Sequence, residues 1–219
     1  MNKQELLWRA TLLGALISTV TLLTACGGGG GGTDTPSSFT ITGKAVDGPL
    51  QGATACYDVN DNQACDAGEP TSAATPADGS FSIAGIVPAE IGKHIVLIDV
   101  PATAIDADTG VAVGRSFQIA APATGATGNH SVFVSPLSTL VLLQMISTAQ
   151  SRDDAAAFVQ SQLGLAASPL ADFTASSTAD NTLAANAARL TLAAFSQQTD
   201  ALAAAVGATS IWTSASACT

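Results

Sequence analysis

Oxygen-bearing side chains recur at fixed intervals between Asp58 and Glu69, and this run limits the possible folds more than any other stretch. Counted from Asp58, they occupy positions 1, 3, 5, 9 and 12 and belong to Asp58, Asn60, Asn62, Asp66 and Glu69. In a tightly curled loop alternate side chains turn inward, and Ala64 at position 7 can add its backbone carbonyl oxygen. Because Ca²⁺ is a hard cation that takes about 6–8 oxygen ligands, the spacing predicts a calcium site formed by these residues.

The spacing is that of a calcium loop of the EF-hand type, in which Glu at position 12 closes the site with both carboxylate oxygens. Two features depart from that type. Position 6 carries Gln63 where Gly normally makes the sharp turn, and no helical pattern precedes Cys56. We therefore predict a calcium loop set between β-strands. The alternative is an Asp- and Asn-rich turn whose side chains bond their own backbone.

The first 25 residues predict a secretory signal peptide. Lys3 and Arg9 precede an apolar run over residues 10–23. This run is too short, and its flanks are of the wrong kind, to span a membrane. The run ends Leu23-Thr24-Ala25-Cys26, which resembles the bacterial lipobox. That resemblance implies cleavage before Cys26, diacylation of its thiol and acylation of the new amino terminus. An ordinary signal peptide with a chance cysteine is the alternative.

Acylation of this kind would fix the chain to a membrane, because one acyl chain holds only marginally whereas three anchor it essentially permanently. Known inner-membrane lipoproteins carry Asp after the lipidated cysteine, and here Gly27 follows Cys26. The resemblance therefore implies the outer membrane, on its periplasmic side or exposed at the surface.

The chain without residues 1–25 is strongly acidic. It keeps five basic and sixteen acidic residues, a net charge of −11 with His neutral. Nucleic-acid binding needs basic patches, and attachment to anionic lipid needs basic clusters. The composition argues against both kinds of partner.

Two cysteines flank the first part of the predicted calcium loop. In an exported chain disulfides persist, so we predict a bridge between Cys56 and Cys65, which would stabilise the fold by roughly 2–3 kcal/mol. Two buried free thiols are the alternative. Cys218 is left without a predicted partner.

The remaining chain divides by its periodicity. Residues 26–38 are rich in Gly, Ser and Thr and predict a flexible tether. Alternating apolar and polar residues over 39–120 predict β-strands, and residues 121–134 read as a linker. From the N-cap Ser135 and Pro136 the period becomes helical through residue 206, and we expect residues 207–219 to be poorly packed.

One region resembles a known module. Val46-Asp47-Gly48-Pro49-Leu50, the loop through Glu69-Pro70, and Ala77-Asp78-Gly79-Ser80-Phe81 are similar to carboxypeptidase-regulatory-like and SdrD B-type modules of bacterial surface proteins. The resemblance implies a small prealbumin-like β-sandwich whose Asp-x-Asn-x-Asn run holds the metal. We therefore expect an α+β chain, a β-sandwich followed by helices.

The first predicted helix suggests a partner. Its residues 137–146 are apolar most of the way round, which indicates burial or docking of another protein.

Catalytic patterns are weak. The chain has two histidines, His94 and His130, which we interpret as edge or surface residues, and it has no Gly-x-Ser-x-Gly elbow. We expect a non-enzymatic, lipid-anchored envelope protein with a structural Ca²⁺ site, serving as a structural or protein-interaction module. The alternatives are a module binding an envelope glycan or peptide, and the N-terminal part of a truncated larger surface protein.

Overall fold

The computed structural model describes residues 38–205, which form a mixed α+β fold. The predicted signal peptide, the lipidation site Cys26, nearly all of the tether and the tail 207–219 lie outside the described residues. Within that range, nine strands precede three helices. The strands are β1 Phe39–Ala45, β2 Leu50–Gln51, β3 Thr54–Tyr57, β4 Ser80–Ile86, β5 Val96–Val100, β6 Ile105–Asp106, β7 Val111–Ala112, β8 Phe117–Ala121 and β9 His130–Val134.

The strands form three sheets of three strands each, in the orders β4-β1-β9, β2-β6-β7 and β3-β5-β8. Strands β1 and β9 pair in parallel and every other described pair is antiparallel. Apolar side chains from the first and third sheets share one core. Ile41 and Ile83 come from one sheet, and Ile98 and Ile119 from the other. Burying a side chain of this size stabilises a fold by roughly 1.5–3 kcal/mol, so this shared core holds the two sheets together.

Strand β9 lies in the stretch that the sequence analysis assigned to a linker. Residues 41–45 of β1 pair with residues 130–134 of β9. Val132 and Val134 of β9 enter the core shared by the two sheets. The strand is five residues long and follows a Gly-rich segment, so its short β-branched run gives little periodic signal.

The three helices are α1 Pro136–Thr148, α2 Arg152–Leu163 and α3 Ala179–Ala205. The predicted N-cap of α1 is confirmed, since Ser135 and Ser138 form a reciprocal capping box with Pro136 at the first helical position. At the start of α3, the Thr178 hydroxyl accepts the Asn181 N–H at 3.2 Å. Asp180 lies in the first turn, where a carboxylate also favours the helix dipole.

Helix α1 connects the helical part to the sheets. Ser138 donates its hydroxyl to the Ala120 carbonyl of β8 at 2.6 Å, and the Ala120 N–H donates to Thr139 at 2.9 Å. Leu137 and Val141 of α1 are fully buried. Among residues 38–205, no helix combines the length and apolar character needed to cross a membrane.

Candidate metal centre

Backbone pairing holds the two ends of the predicted calcium loop together. Strand β3 ends at Tyr57, whose N–H donates to the Pro70 carbonyl at 2.9 Å. Cys56 pairs with Thr71 in an isolated antiparallel bridge. The Asp58 N–H then donates to the Ile95 carbonyl at 3.2 Å. The loop therefore leaves the β3-β5-β8 sheet and returns to it at one point, which agrees with a loop set on strands.

The interior of the loop is tied to the same strand by its cysteines. Cys56 and Cys65 are bonded as predicted, with their Cα atoms 5.8 Å apart. Cys56 is buried beside Leu97 of β5 and Leu142 of α1. The bridge thus joins the loop to the surface where α1 covers the sheet, and it limits the conformations that the loop can adopt before binding a ligand.

Asp58, at position 1, lies at the base of the loop and is completely buried. Its Oδ2 accepts the Gln63 N–H at 2.7 Å, and its Oδ1 accepts the Asn62 N–H at 3.1 Å. A buried carboxylate needs such donors to offset the loss of water. Each carboxylate oxygen has two lone-pair sites, so both oxygens keep acceptor capacity beyond these bonds.

The side chains of Asn60, Asn62 and Asp66 converge. Both asparagine amides donate to Oδ2 of Asp66, at 2.9 Å from Asn60 and 2.6 Å from Asn62. These hydrogen bonds lower the pKa of Asp66 below its ordinary value. The asparagine oxygens accept backbone N–H groups within the loop, from Asn62 at 3.1 Å and from Ala64 at 2.9 Å. Positions 3, 5 and 9 are therefore brought together by side-chain contacts.

Glu69, at position 12, reaches across the loop with both oxygens. Oε1 accepts the Val59 N–H at 2.9 Å and Oε2 accepts the Asp66 N–H at 3.0 Å. Position 12 is thereby held against positions 2 and 9. The same carboxylate is the one expected to close the site.

The sharp turn at position 6 forms without glycine. Gln63 has a φ of +63°, in the left-handed region, and this conformation costs a non-glycine residue roughly 1–2 kcal/mol. Asp61 also lies there, with a φ of +58°, although Asp tolerates the region better than most residues. The loop thus differs from the EF-hand type in the residue at position 6. Its backbone still has there the left-handed conformation that Gly favours.

The donors fit a hard cation better than a transition metal. They comprise three carboxylates, two amide oxygens and the Ala64 carbonyl, and oxygen donors of these kinds suit Ca²⁺. Within residues 38–205, no cluster of three or more His, Cys, Asp or Glu side chains is placed to hold a metal ion. The asparagine amides face Asp66 with their N–H groups, so ligation by their oxygens requires them to reorient. The hydrogen bonds within the loop are also those expected for the alternative, an Asx-rich turn whose side chains bond its own backbone.

A second group beside the loop was missed by the sequence analysis. His94, interpreted there as an edge or surface residue, has a side chain only 11% exposed. Its Nδ1 lies 2.8 Å from Oδ1 of Asp61 and its Nε2 lies 2.7 Å from Oε2 of Glu90. Its ring stands edge-on to Tyr57, with centroids 5.5 Å apart. The Glu90–His94 spacing of four was the only local signal of this arrangement.

Burial and the two carboxylates have opposite effects on the pKa of His94. Burial alone would lower its pKa, but the hydrogen bonds to Asp61 and Glu90 outweigh burial and raise it. The ring therefore links Asp61, at position 4 of the loop, to Glu90 in the segment before β5. The other histidine, His130, donates from Nδ1 to the Gly128 carbonyl at 2.8 Å and has Nε2 3.0 Å from the Thr124 hydroxyl, contacts that order the start of β9.

Comparison of the chain with protein-family models, with curated proteins and with solved structures finds no match. The assignment of the loop therefore depends on its own residues and their geometry.

Proposed function

We propose that this chain is a non-enzymatic lipoprotein of the cell envelope, whose loop 58–69 binds one structural Ca²⁺ ion. The observation that supports the proposal most is the convergence of Asn60, Asn62 and Asp66 in a loop that Glu69 spans. Asp58 would supply the ligand at the base, and Ala64 a carbonyl oxygen. The ion would offset the negative charge gathered in this loop.

A structural role fits this loop better than a signalling role. Backbone pairing and the Cys56–Cys65 bridge already fix its ends, so little rearrangement is available to transmit a signal. Extracellular calcium modules bind at roughly 10⁻⁴–10⁻³ M. An ion that binds only the folded state stabilises it by mass action, by about 2 kcal/mol when calcium exceeds the dissociation constant fiftyfold.

The proposed architecture follows the sequence resemblances. Cys26 carries the lipid that anchors the chain in the outer membrane, residues 26–38 form the tether, and residues 39–120 form the prealbumin-like β-sandwich. The proposal of a sandwich is supported by the core that the sheets β4-β1-β9 and β3-β5-β8 share. The acidic composition supports the absence of a nucleic-acid partner.

The proposed protein-interaction surface is smaller than residues 137–146. Leu137, Val141 and Leu142 are buried within the chain itself. Leu143 and Ile146 are 45% and 58% exposed. A protein partner docking on α1 would therefore contact Leu143 and Ile146.

A second candidate is a module that binds an envelope glycan or peptide. A cleft of about 400 Å³ with a mixed polar and apolar lining lies between the β1–β2 turn and α3 and favours this alternative. Asp47, Asp108, Asn181 and Arg189 line it together with several hydroxyl groups. Polar groups of this kind can orient a hydroxyl-rich or peptide ligand.

Calorimetric titration tests the calcium proposal. The protein used is residues 33–219, which include all the residues that the structure describes, 38–205. We expect one site per chain and a higher melting temperature in calcium than in chelator. Glu69→Gln should weaken binding at least tenfold, because it removes a charged ligand. The matched control is Asp153→Asn, an exposed carboxylate on α2, which should leave binding unchanged.

The proposal fails if the wild-type chain, with its disulfide intact, shows no binding at millimolar calcium. It also fails if Glu69→Gln and Asp153→Asn bind calcium equally well. In either case the loop is an Asx-rich turn closed by a disulfide.

A further inference from the structure

A cavity of about 410 Å³ lies on the face of the β3-β5-β8 sheet that points away from the main core. Leu97 of β5 and Ala120 of β8 are paired neighbours on this face, and both line the cavity. Leu142 of α1 and Phe195 of α3 form its walls. The two helices therefore cover the sheet without filling the space beneath them.

Two of the lining residues are apolar side chains that the fold leaves exposed. Leu143 and Ile146 of α1 line the cavity although they are 45% and 58% exposed. An apolar molecule that covers these side chains removes their apolar surface from water, which favours its binding. They are the strongest indication that the cavity has an occupant.

The volume limits what this occupant can be. Small-molecule sites measure about 300–1,000 Å³ and are lined mostly by apolar groups with a few polar ones. An α-helix with its side chains is about 10–12 Å across and rises about 5.4 Å per turn, so one turn would fill the whole cavity. The space suits a slender chain better than a helix of a protein partner.

The lining also indicates the charge of the occupant. Arg115 lies at the cavity, and its guanidinium pairs with Asp200 and donates to the Ser196 carbonyl at 3.4 Å. A guanidinium has five N–H donors, so it retains donors for an anion. Among the charged residues 38–205, only Arg115 lines this cavity, so a carboxylate that enters it would bond this guanidinium beside Asp200.

We propose that this cavity binds a medium-chain aliphatic carboxylic acid, with its alkyl chain against Leu97, Leu143 and Phe195 and its carboxylate at Arg115. Dodecanoate, with about 12 carbons, is a suitable probe, because a cavity of about 410 Å³ lies in the size range of small-molecule sites. None of the proposed calcium ligands lines the cavity, although Gln63 of the loop does, and this proposal does not depend on the calcium proposal. The acid and a protein partner on α1 would compete for Leu143 and Ile146.

Calorimetric titration with dodecanoate, below its micelle concentration and in chelator, tests the proposal on residues 33–219. We expect saturable binding of one molecule per chain. Leu143→Gln should weaken it about fivefold to tenfold, because the change removes apolar contact. The matched control is Leu183→Gln, since Leu183 is also a helical leucine, is 46% exposed and does not line the cavity. It should change the affinity less than twofold.

A second pair of variants tests the carboxylate end. Arg115→Gln should weaken dodecanoate about threefold to fivefold, as expected for a partly exposed ion pair. Arg189→Gln is the control, because Arg189 is equally exposed at 44% and is also paired with an aspartate. Melting temperatures of all four variants establish that they are folded.

Three results would overturn the proposal. One is no saturable binding by the wild-type chain, and another is equal weakening by Leu143→Gln and Leu183→Gln. The third is binding that appears only after residues 206–219 are removed, which would assign the cavity to the chain's own C-terminal segment.

Discussion

Replacing Gln63 with glycine tests the geometry of the loop. The replacement should raise the free energy of unfolding if the backbone at Gln63 is left-handed, and lower it otherwise. Gln63 holds a φ of +63°, which costs a non-glycine residue roughly 1–2 kcal/mol. Glycine removes that cost but loses roughly 0.5–1 kcal/mol more conformational entropy on folding. The N–H that Gln63 donates to buried Asp58 is kept. The difference spans about 0–1.5 kcal/mol, and we expect Gln63→Gly to raise the free energy of unfolding by about 0.5–1 kcal/mol, the middle of that range.

Urea unfolding of residues 33–219 in chelator, followed by circular dichroism, measures this difference. For a domain of this length the melting temperature should rise by about 1–4 °C. Ala149→Gly is the positive control, because Ala149 ends α1 with a φ of +56°. Ala73→Gly is the negative control, since Ala73 is an exposed loop residue outside the left-handed region, and it should destabilise the fold by about 0.5–1 kcal/mol.

The reasoning is refuted if Gln63→Gly destabilises the protein as much as Ala73→Gly does. The loop would then not make a left-handed turn at position 6, and its likeness to a calcium loop would end at the spacing of its side chains.

Two further predictions concern the supports of the loop. The double variant Cys56→Ser, Cys65→Ser should have a free energy of unfolding lower by roughly 2–3 kcal/mol. Urea unfolding measures this against the oxidised wild type, and an unchanged midpoint of the urea transition would contradict the prediction. His94 has a raised pKa in the fold, so its stabilising contribution is complete below its ordinary pKa of about 6.5 and is lost as the pH rises through the raised value. Melting temperatures across this range should fall in the wild type and stay flatter in His94→Gln, and parallel profiles would refute the role of the ring.

The parts of the site that follow from local spacing could be predicted from the sequence. Alternate donors from Asp58 to Glu69 predicted a curled loop, and the spacing of Cys56 and Cys65 predicted their bridge. The structure brings Asn60, Asn62 and Asp66 into contact within that loop. Interactions over twelve residues or fewer are encoded by the chain near them, so a sequence pattern can indicate them.

Contacts made by tertiary packing could not be predicted in the same way. His94 meets Asp61 across 33 positions of sequence, and no local pattern relates them. Strand β9 is specified by its pairing with β1 more than by its own five residues. The cavity beside Leu143 exists because α1 and α3 cover the sheet incompletely, which depends on how the elements pack and on no single motif.

A crystal structure grown in millimolar calcium tests the central claim most directly. We predict one ion in the loop, bound by Asp58, Asn60, Asn62, Asp66 and Glu69 and by the Ala64 carbonyl, with oxygen distances of about 2.3–2.6 Å. The amide oxygens of Asn60 and Asn62 should then face the ion in place of their N–H groups. A loop without an ion at that concentration, with both amides still donating to Asp66, would contradict the claim.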